Sequence, residues 1–315
     1  MKWLIYIPVL LLLLTSCKKD KGEEEEVIYK TEHVIIIVVD GSRYSDTWEY
    51  PGILNIPFQS ALKSQGVFYP NFSNKGVTRT VSGHTAITTG VYQTMNNNGA
   101  EYPFMPSIFQ RWLKATDKPQ QAAWVIASKD KLAVLGNCTK TDWQNTYLPK
   151  VNCGVGGQGV GSGYRDDSIT KGTAISILDY HHPSLVLINF RDPDYSAHTG
   201  DWTAYMNGIS TTDGYIQEIW DFIESDPYYQ GKTSLFITND HGRHLDGVQD
   251  GFVGHGDNCQ GCEHIGLLAV GPDFNSDVEI FTEHEMRDIS VTIAQMMKFP
   301  LGNPEGKVLT GIFNK

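Results

Sequence analysis

Short apolar, β-branched and aromatic runs recur along this chain, and several stop abruptly on a carboxylate or an imidazole. Residues 233–238, Thr-Ser-Leu-Phe-Ile-Thr, have strand length and β-branched and aromatic content, and they end in Asn239-Asp240-His241-Gly242. Val34-Ile35-Ile36-Ile37-Val38-Val39 ends at Asp40, and residues 185–190 run into Asp192-Pro193-Asp194-Tyr195-Ser196-Ala197-His198. Runs without polar alternation mark strands covered on both faces, as in a parallel sheet between helices. Polar residues at the ends of such strands are how an open α/β sheet builds a site at its rim.

The remaining pattern supplies the helices. Residues 56–67 give an amphipathic helix with Phe58, Leu62 and Val67 inward, and 106–114, 167–180, 202–224 and 283–297 also read as helices. Residues 122–127 form a further strand leading to Ser128-Lys129-Asp130-Lys131, and 265–272 form the last core strand. Asn96-Asn97-Asn98-Gly99 is a loop, and so is 154–163, whose glycines lack the Lys-Ser/Thr ending of a nucleotide P-loop. Helices flanking the strand at 185–190 fit a βαβ pattern. The prediction is one α/β domain over 33–315, a three-layer α/β/α sandwich with a mostly parallel central sheet.

Length and charge narrow the function. A chain of 315 residues builds a core of ordinary size, and a formal charge of −11 argues against binding nucleic-acid duplexes or anionic lipid by charge. A negatively charged substrate would need local cations, of which bound metal is the obvious source. Lys2 and the apolar run 3–14, too short for a comfortable membrane span, read as an export signal. Leu14-Thr15-Ser16-Cys17 resembles the bacterial lipoprotein processing box. Residues 1–16 are therefore expected to be removed, Cys17 lipidated, and 17–32, with its Lys and Glu run, to tether the domain to a bacterial membrane outside the cytoplasm. In a cytosolic protein Cys259-Gln260-Gly261-Cys262 would suggest redox or zinc chemistry; at this address a Cys259–Cys262 disulfide is expected, and a Cys138–Cys153 disulfide with it.

Gly76-Val77-Thr78-Arg79-Thr80-Val81-Ser82-Gly83-His84 precedes an Ala-Ile segment, so small hydroxyls stand at a helix start. Free N–H groups and the helix dipole there favour an anion, and a hydroxyl in that place is set to be a nucleophile or merely to cap the helix. The collected candidates are Asp40, Thr80, Asp194, His198, Asp240, His241 and His255. Mixed Asp and His donors suit zinc, and manganese or iron use overlapping ligands. Two metals about 3.5–4 Å apart can clamp both oxygens of an in-line phosphoryl displacement.

In this order the motifs resemble those of the alkaline phosphatase superfamily, particularly the branch of type I phosphodiesterases/nucleotide pyrophosphatases and threonine-nucleophile bacterial alkaline phosphatases. The resemblance runs from about residue 33 to residue 272. It implies that Asp194, His198 and His255 hold one zinc, and that Asp40, Asp240 and His241 hold the other beside Thr80. Thr80 would attack phosphorus to give a phosphothreonine, which water then hydrolyses. His264, in Glu263-His264-Ile265-Gly266, is the alternative to His255. The pyrophosphatase branch has an asparagine three residues after its nucleophile; here that place is Gly83, with Asn98 a substitute. Lys129 and Lys131 are similar to the Lys-x-Arg pair that threonine-type monoesterases set on the substrate phosphate, with lysine for arginine. No Cys/Ser-x-Pro-x-Arg sulfatase signature lies near Thr80, and the chain has little spare length for the large inserted domain of the cofactor-independent mutases. The resemblance implies a hydrolase of small phosphorylated substrates, diesters or nucleotides first and monoesters as the alternative. A non-catalytic surface lipoprotein that binds its ligand is the competing class.

Overall fold

Strands apolar on both faces need cover on both sides of the sheet, and the chain supplies it with two helical layers. The computed structural model describes residues 1, 3 and 27–314. In chain order its elements are β1 (His33–Val39), α1 (Pro57–Leu62), β2 (Gly66–Ser73), α2 (Thr80–Thr89), α3 (Ile108–Thr116), β3 (Ala123–Ala127) and β4 (Lys150–Cys153). There follow α4 (Asp167–His181), β5 (Leu185–Phe190), α5 (Asp194–Ala197), α6 (Trp202–Ser225), β6 (Thr233–Thr238), α7 (Gln260–Glu263), β7 (His264–Val270), β8 (Val278–Glu279), β9 (His284–Glu285) and α8 (Arg287–Met296).

The sheet runs in the order β4-β3-β5-β1-β6-β7-β2-β8, with β9 also on β2. From β4 to β6 every pairing is parallel, whereas β7 is antiparallel to both β6 and β2. Alternate residues of β1 divide the core. Val34, Ile36 and Val38 pack with Ile87 of α2, Phe109 and Trp112 of α3, and Ile289 and Ile293 of α8. Ile35, Ile37 and Val39 pack with Leu178 of α4 and Ile216, Ile219 and Ile223 of α6. This is the expected three-layer sandwich with a mostly parallel sheet.

The differences from the sequence reading have local causes. The helix expected over 56–67 ends at Leu62, because Val67-Phe68-Tyr69 joins the sheet as β2, a strand whose pairing with β7 shifts register between Tyr69 and Phe72. The helix expected from 283 begins at Arg287, since His284 and Glu285 pair with Phe72 and Ser73. Neither expected disulfide is present: Cys138, Cys153, Cys259 and Cys262 are free thiols. The Cys153 thiol, at the end of β4, points to the Val125 carbonyl 3.7 Å away, and the Cys259 sulfur accepts a hydrogen bond from the Cys262 amide at 3.4 Å.

Cys17, where lipidation is expected, and all of the expected signal but residues 1 and 3 lie outside the described residues. Among the described residues no helix is long and apolar enough to cross a membrane. The last part of the expected tether is not free: buried Asp273 accepts hydrogen bonds from Lys30 N and Thr31 N at 2.8 Å and from Thr31 Oγ1 at 2.6 Å. Asp273→Ala should therefore lower stability by roughly 1.5–3 kcal/mol, the scale of hydrogen bonds to a charged group. Denaturant melts would read this as a lower midpoint at constant slope, and an unchanged midpoint would mean that the segment does not dock.

Candidate active and metal-binding site

Four neighbouring parallel strands end at one rim. The register pairs Val39 of β1 with Phe190 of β5 and Val38 with Thr238 of β6, so Asp40, the Arg191–Asp194 turn and Asn239-Asp240-His241 emerge side by side. β3 ends beside β5 and delivers Ser128 and Lys129. Helix α2 begins at Thr80 above this rim, and the short α5 carries Asp194, with His198 at its end.

The expected residues converge there. Lys129 Nζ lies 2.7 Å from Asp40 Oδ1, 2.6 Å from Asp194 Oδ2 and 3.3 Å from Thr80 Oγ1, and Thr80 Oγ1 is 3.5 Å from Asp40 Oδ1. His241 Nε2 is 3.6 Å from Asp40 Oδ1 and 3.4 Å from Asp240 Oδ2. His198 Nε2 and His255 Nε2 each lie 3.3 Å from Asp194 Oδ1 and 3.2 Å from each other. The His241 and His255 rings stack at 3.8 Å and join the two halves of the cluster.

The hydrogen bonds at the far side of each ring say which nitrogen is free. His241 Nδ1 is 2.9 Å from the Gly242 carbonyl and His255 Nδ1 is 2.8 Å from that of Thr78, so each donates there and turns an Nε2 lone pair into the cluster. Two of the inward atoms, His241 Nε2 and Asp240 Oδ2, are buried without a hydrogen-bond partner. Buried polar atoms are nearly always paired, so such orphans fit ligands of a cation. His84 also stands close, with Nδ1 3.4 Å from Asp240 Oδ2, and Asp40, His84 and Asp240 could share an ion. Its nitrogens are engaged, however: Nδ1 with the Thr80 carbonyl at 2.9 Å and Nε2 with the Asn189 amide at 3.2 Å. Geometry thus favours His241 as the third donor for Asp40 and Asp240, with His84 fixing the first turn of α2. Asp194 lies with His241 and His255, and the half-exposed His198 closes that side.

Charge makes the same demand. Asp40, Asp194 and Asp240 are all but inaccessible, and the buried Lys129 and Arg243 make direct ion pairs with Asp40 and Asp194. Burial and the neighbouring Asp240 push Asp40 up to about 7 despite Lys129. Burial works the same way on Asp194, but Lys129, His198, His255 and Arg243 outweigh it and hold that carboxyl well below its usual range. Burial lowers His241 to about 3, which leaves its ring neutral and fit to donate a lone pair. Among the described residues Asp240 is ion-paired only with the His84 and His241 imidazoles, so its charge is the one that bound divalent metal would neutralise.

Lys131 is buried too, and burial together with Lys129 lowers it to about 8. Both lysines sit against Tyr164, with ammonium groups 5.7 and 5.8 Å from the ring centre. The glycine-rich loop presents that ring. Asp130 Oδ2 accepts from Gly161 N and Gly163 N at 2.9 Å and so folds the loop back over the end of β3.

Placement removes one alternative and corrects one expectation. His264 is turned away, with Nε2 2.8 Å from the Pro70 carbonyl and its ring stacked on Tyr44, so His255 is the histidine brought to Asp194. Asn98 is exposed and its side-chain oxygen accepts from Ala100 N at 2.8 Å within its own turn; the neighbouring Asn97 instead accepts from Val81 N at 3.0 Å, at the start of α2. Sequence reasoning missed Arg243, His84, Asn189 and Tyr164. Arg243 alone had a readable signal, two residues after Asp240-His241. It donates to Asp194 and to the Phe252 and Val253 carbonyls, which ties the 243–253 segment to the cluster.

Comparison with known proteins bears on the family and the fold. A family model described as the Metalloenzyme superfamily matches residues 73–301. A 2,3-bisphosphoglycerate-independent phosphoglycerate mutase of Haloquadratum walsbyi is 24% identical over 126 residues, 40% of this chain and 23% of the mutase. The matched stretches span no more than about a quarter of the length of the curated relatives. Among solved structures, the alkaline phosphatase PafA has a TM-score of 0.68 at 12% identity, over 91% of this chain and 99% of that one. Murine ectonucleotide pyrophosphatase/phosphodiesterase 5 has a TM-score of 0.62 at 14% identity, over 87% and 97%, and an inactive threonine-to-alanine form of it is known in complex with AMP. A protein solved with its substrate D-glucosamine-2-N,6-O-disulfate has a TM-score of 0.67 at 11% identity, over 88% and 79%. At these identities the structural likeness is one of fold. The family match covers most of the chain, which belongs to the Metalloenzyme superfamily and has an alkaline phosphatase-like fold.

Proposed function

We propose that this chain hydrolyses phosphate esters through Thr80 with two bound zinc ions, and that monoesters are its first substrate class. The observation that carries the proposal is the meeting of the Thr80 hydroxyl, Lys129 and Asp40 within 3.5 Å at the N-terminus of α2. Divalent cations held by Asp194, His198 and His255 and by Asp40, Asp240 and His241 would neutralise the phosphoryl oxygens and lower the pKa of the Thr80 hydroxyl and of the hydrolytic water. Thr80 Oγ1 attacks phosphorus, the leaving oxygen departs with its electron pair, and water cleaves the phosphothreonine to restore the hydroxyl. Lys129 Nζ donates to Thr80 Oγ1 and steadies the developing oxyanion, while Lys131 offers a second cation to the phosphoryl group. Other hydroxyls nearby are engaged: Ser82 Oγ accepts from Met95 N at 3.0 Å, and Thr78 Oγ1 donates to the Asp257 carbonyl at 2.5 Å.

Gly83 shifts the order of substrates from diester to monoester. A Cβ there would stand 2.4 Å from the Asp240 carbonyl oxygen, so the asparagine of the pyrophosphatase branch has no room. Two lysines suit the extra charge of a monoester dianion. The diester reading keeps the support of the fold shared with the murine pyrophosphatase/phosphodiesterase and its AMP complex. We further propose that Cys17 carries lipid that anchors the domain to a bacterial membrane, outside the cytoplasm.

Turnover of aryl monoester, aryl diester and aryl sulfate compared on one preparation tests the reading. Monoester should lead; sulfate in the lead would overturn it, and no turnover on any of the three would favour a binding protein. Thr80→Ala should reduce turnover at least ~10²-fold, the scale of losing a covalent route, and abolish a phosphate-sized mass increment on the Thr80 peptide. Activity that survives the change removes Thr80 from the chemistry. For the metals, Asp194→Asn and Asp240→Asn should each lower bound metal by about one equivalent, one per half of the pair. An unaltered content by mass spectrometry would sink the two-site assignment. Lys131 is charged below its pKa of about 8 and neutral above it, so inhibition by inorganic phosphate should weaken as pH rises through that value. Lys131→Arg, which stays charged, should move that weakening to higher pH; identical inhibition profiles would exclude Lys131 from phosphate binding.

A further inference from the structure

Beside the catalytic cluster lies a second group of metal-ligand side chains that the chemistry above does not use. His244, Asp257, Cys259 and Cys262 each present one ligand atom, and these four atoms lie within 4.8 Å of one another. We propose that they form a structural zinc site that joins the loop after β6 to the turn before β7.

The donors are arranged as a closed site requires. His244 is buried; its Nδ1 lies 2.5 Å from Asp250 Oδ1, so the carboxylate takes the Nδ1 proton and leaves the Nε2 lone pair free. That Nε2 is buried, has no hydrogen-bond partner, and lies 3.3 Å from Asp257 Oδ1. Cys259 caps α7, and its sulfur accepts from Cys262 N at 3.4 Å, the backbone-to-sulfur bond that steadies a thiolate in a Cys-x-x-Cys turn. Asp257 Oδ1 accepts from Cys259 N at 3.1 Å, which fixes the carboxylate on the same turn. One imidazole, one carboxylate and two sulfurs complete a tetrahedral set with no open position, the mark of a structural rather than a catalytic zinc. Soft sulfur donors select zinc over magnesium, calcium or manganese. Binding releases one proton from each thiol and involves no oxidation.

Glycine brings the two segments close enough. A Cβ on Gly242 would stand 2.0 Å from the Gly261 carbonyl oxygen, and one on Gly261 would stand 2.4 Å from that of Arg243. The linked segments carry Asp240, His241 and Arg243 on one side and His255 on the other. Zinc here would lock the loop that aims His255, the task for which a disulfide was the expectation from sequence.

Cobalt(II) loaded into the reduced, metal-stripped full-length protein tests the site by its spectrum and does not depend on turnover. The catalytic cluster contains no sulfur, so a thiolate-to-cobalt charge-transfer band in the near ultraviolet reports this site alone. The band, with visible transitions of tetrahedral strength, should be present in the parent and in Asp240→Asn, and should be lost in Cys259→Ser and Cys262→Ser. Zinc-loaded parent should also hold one equivalent more metal than either cysteine variant. A parent spectrum without the charge-transfer band would overturn the proposal even if both variants fail to fold. So would a native protein whose Cys259 and Cys262 are joined by a disulfide and which gains no metal on reduction. Failure of the two-metal reading would instead show as unaltered metal content in the aspartate variants with the band intact.

Discussion

Three carboxylates buried side by side at the rim of a sheet are the constraint around which this molecule is arranged. Asp40, Asp194 and Asp240 have almost no access to water, and each would carry an uncompensated charge in a medium that solvates charge poorly. The chain answers with cations and with neutral donors: Lys129 between Asp40 and Asp194, Arg243 on Asp194, Lys131 nearby, and imidazoles aimed inward. The answer is incomplete. A carboxyl raised toward neutrality at Asp40 and orphaned atoms on Asp240 and His241 show where positive charge is still wanted.

Holding such repulsion in place takes a rigid frame, which the two-sided core provides. Strands β5, β1 and β6 are buried at every position and clamped between α2, α3 and α8 on one face and α4 and α6 on the other. Their parallel register fixes where each chain leaves the sheet, so the charged residues arrive on backbone that cannot relax away. The loops beyond are less constrained by packing, and polar ties replace it there: Arg243 to the 252–253 carbonyls, His255 to Thr78, and Asp257 to Thr78 and Cys259.

What could be read from sequence divides along the same line. Strands with continuous apolar runs announced themselves, and the acids and imidazoles at their ends marked the rim, because both signals are local. Strand β2 escaped notice because Pro70 and Asn71 interrupt its apolar pattern, and its first residues resembled the end of an amphipathic helix. Tyr164 and His84 carry no local signal. Tyr164 matters because a loop folds it over two lysines, and His84 because one turn of helix sets its ring against Asn189. The cysteines were assigned from their expected compartment; Asp257 lies two residues before Cys259, but His244 comes from the loop after β6, out of reach of any spacing rule for a lone Cys-x-x-Cys.

The proposed preference for monoesters rests on one close approach. Helix α2 lies so near the end of β6 that position 83 faces the Asp240 carbonyl with no space for a side chain, and Asn74 Nδ2 donates to that same oxygen at 2.8 Å. An amide donor in the first turn of the helix is therefore sterically excluded as long as Asp240 keeps its position, and Asp240 is held by the charge cluster itself. In the proposed reading phosphoryl oxygens would then be held from the other side, where Lys129 and Lys131 follow β3 and sit against Tyr164. A pocket that trades a neutral amide for two ammonium groups gains most from the phosphate with the most charge to offer, and monoesters carry one more than diesters.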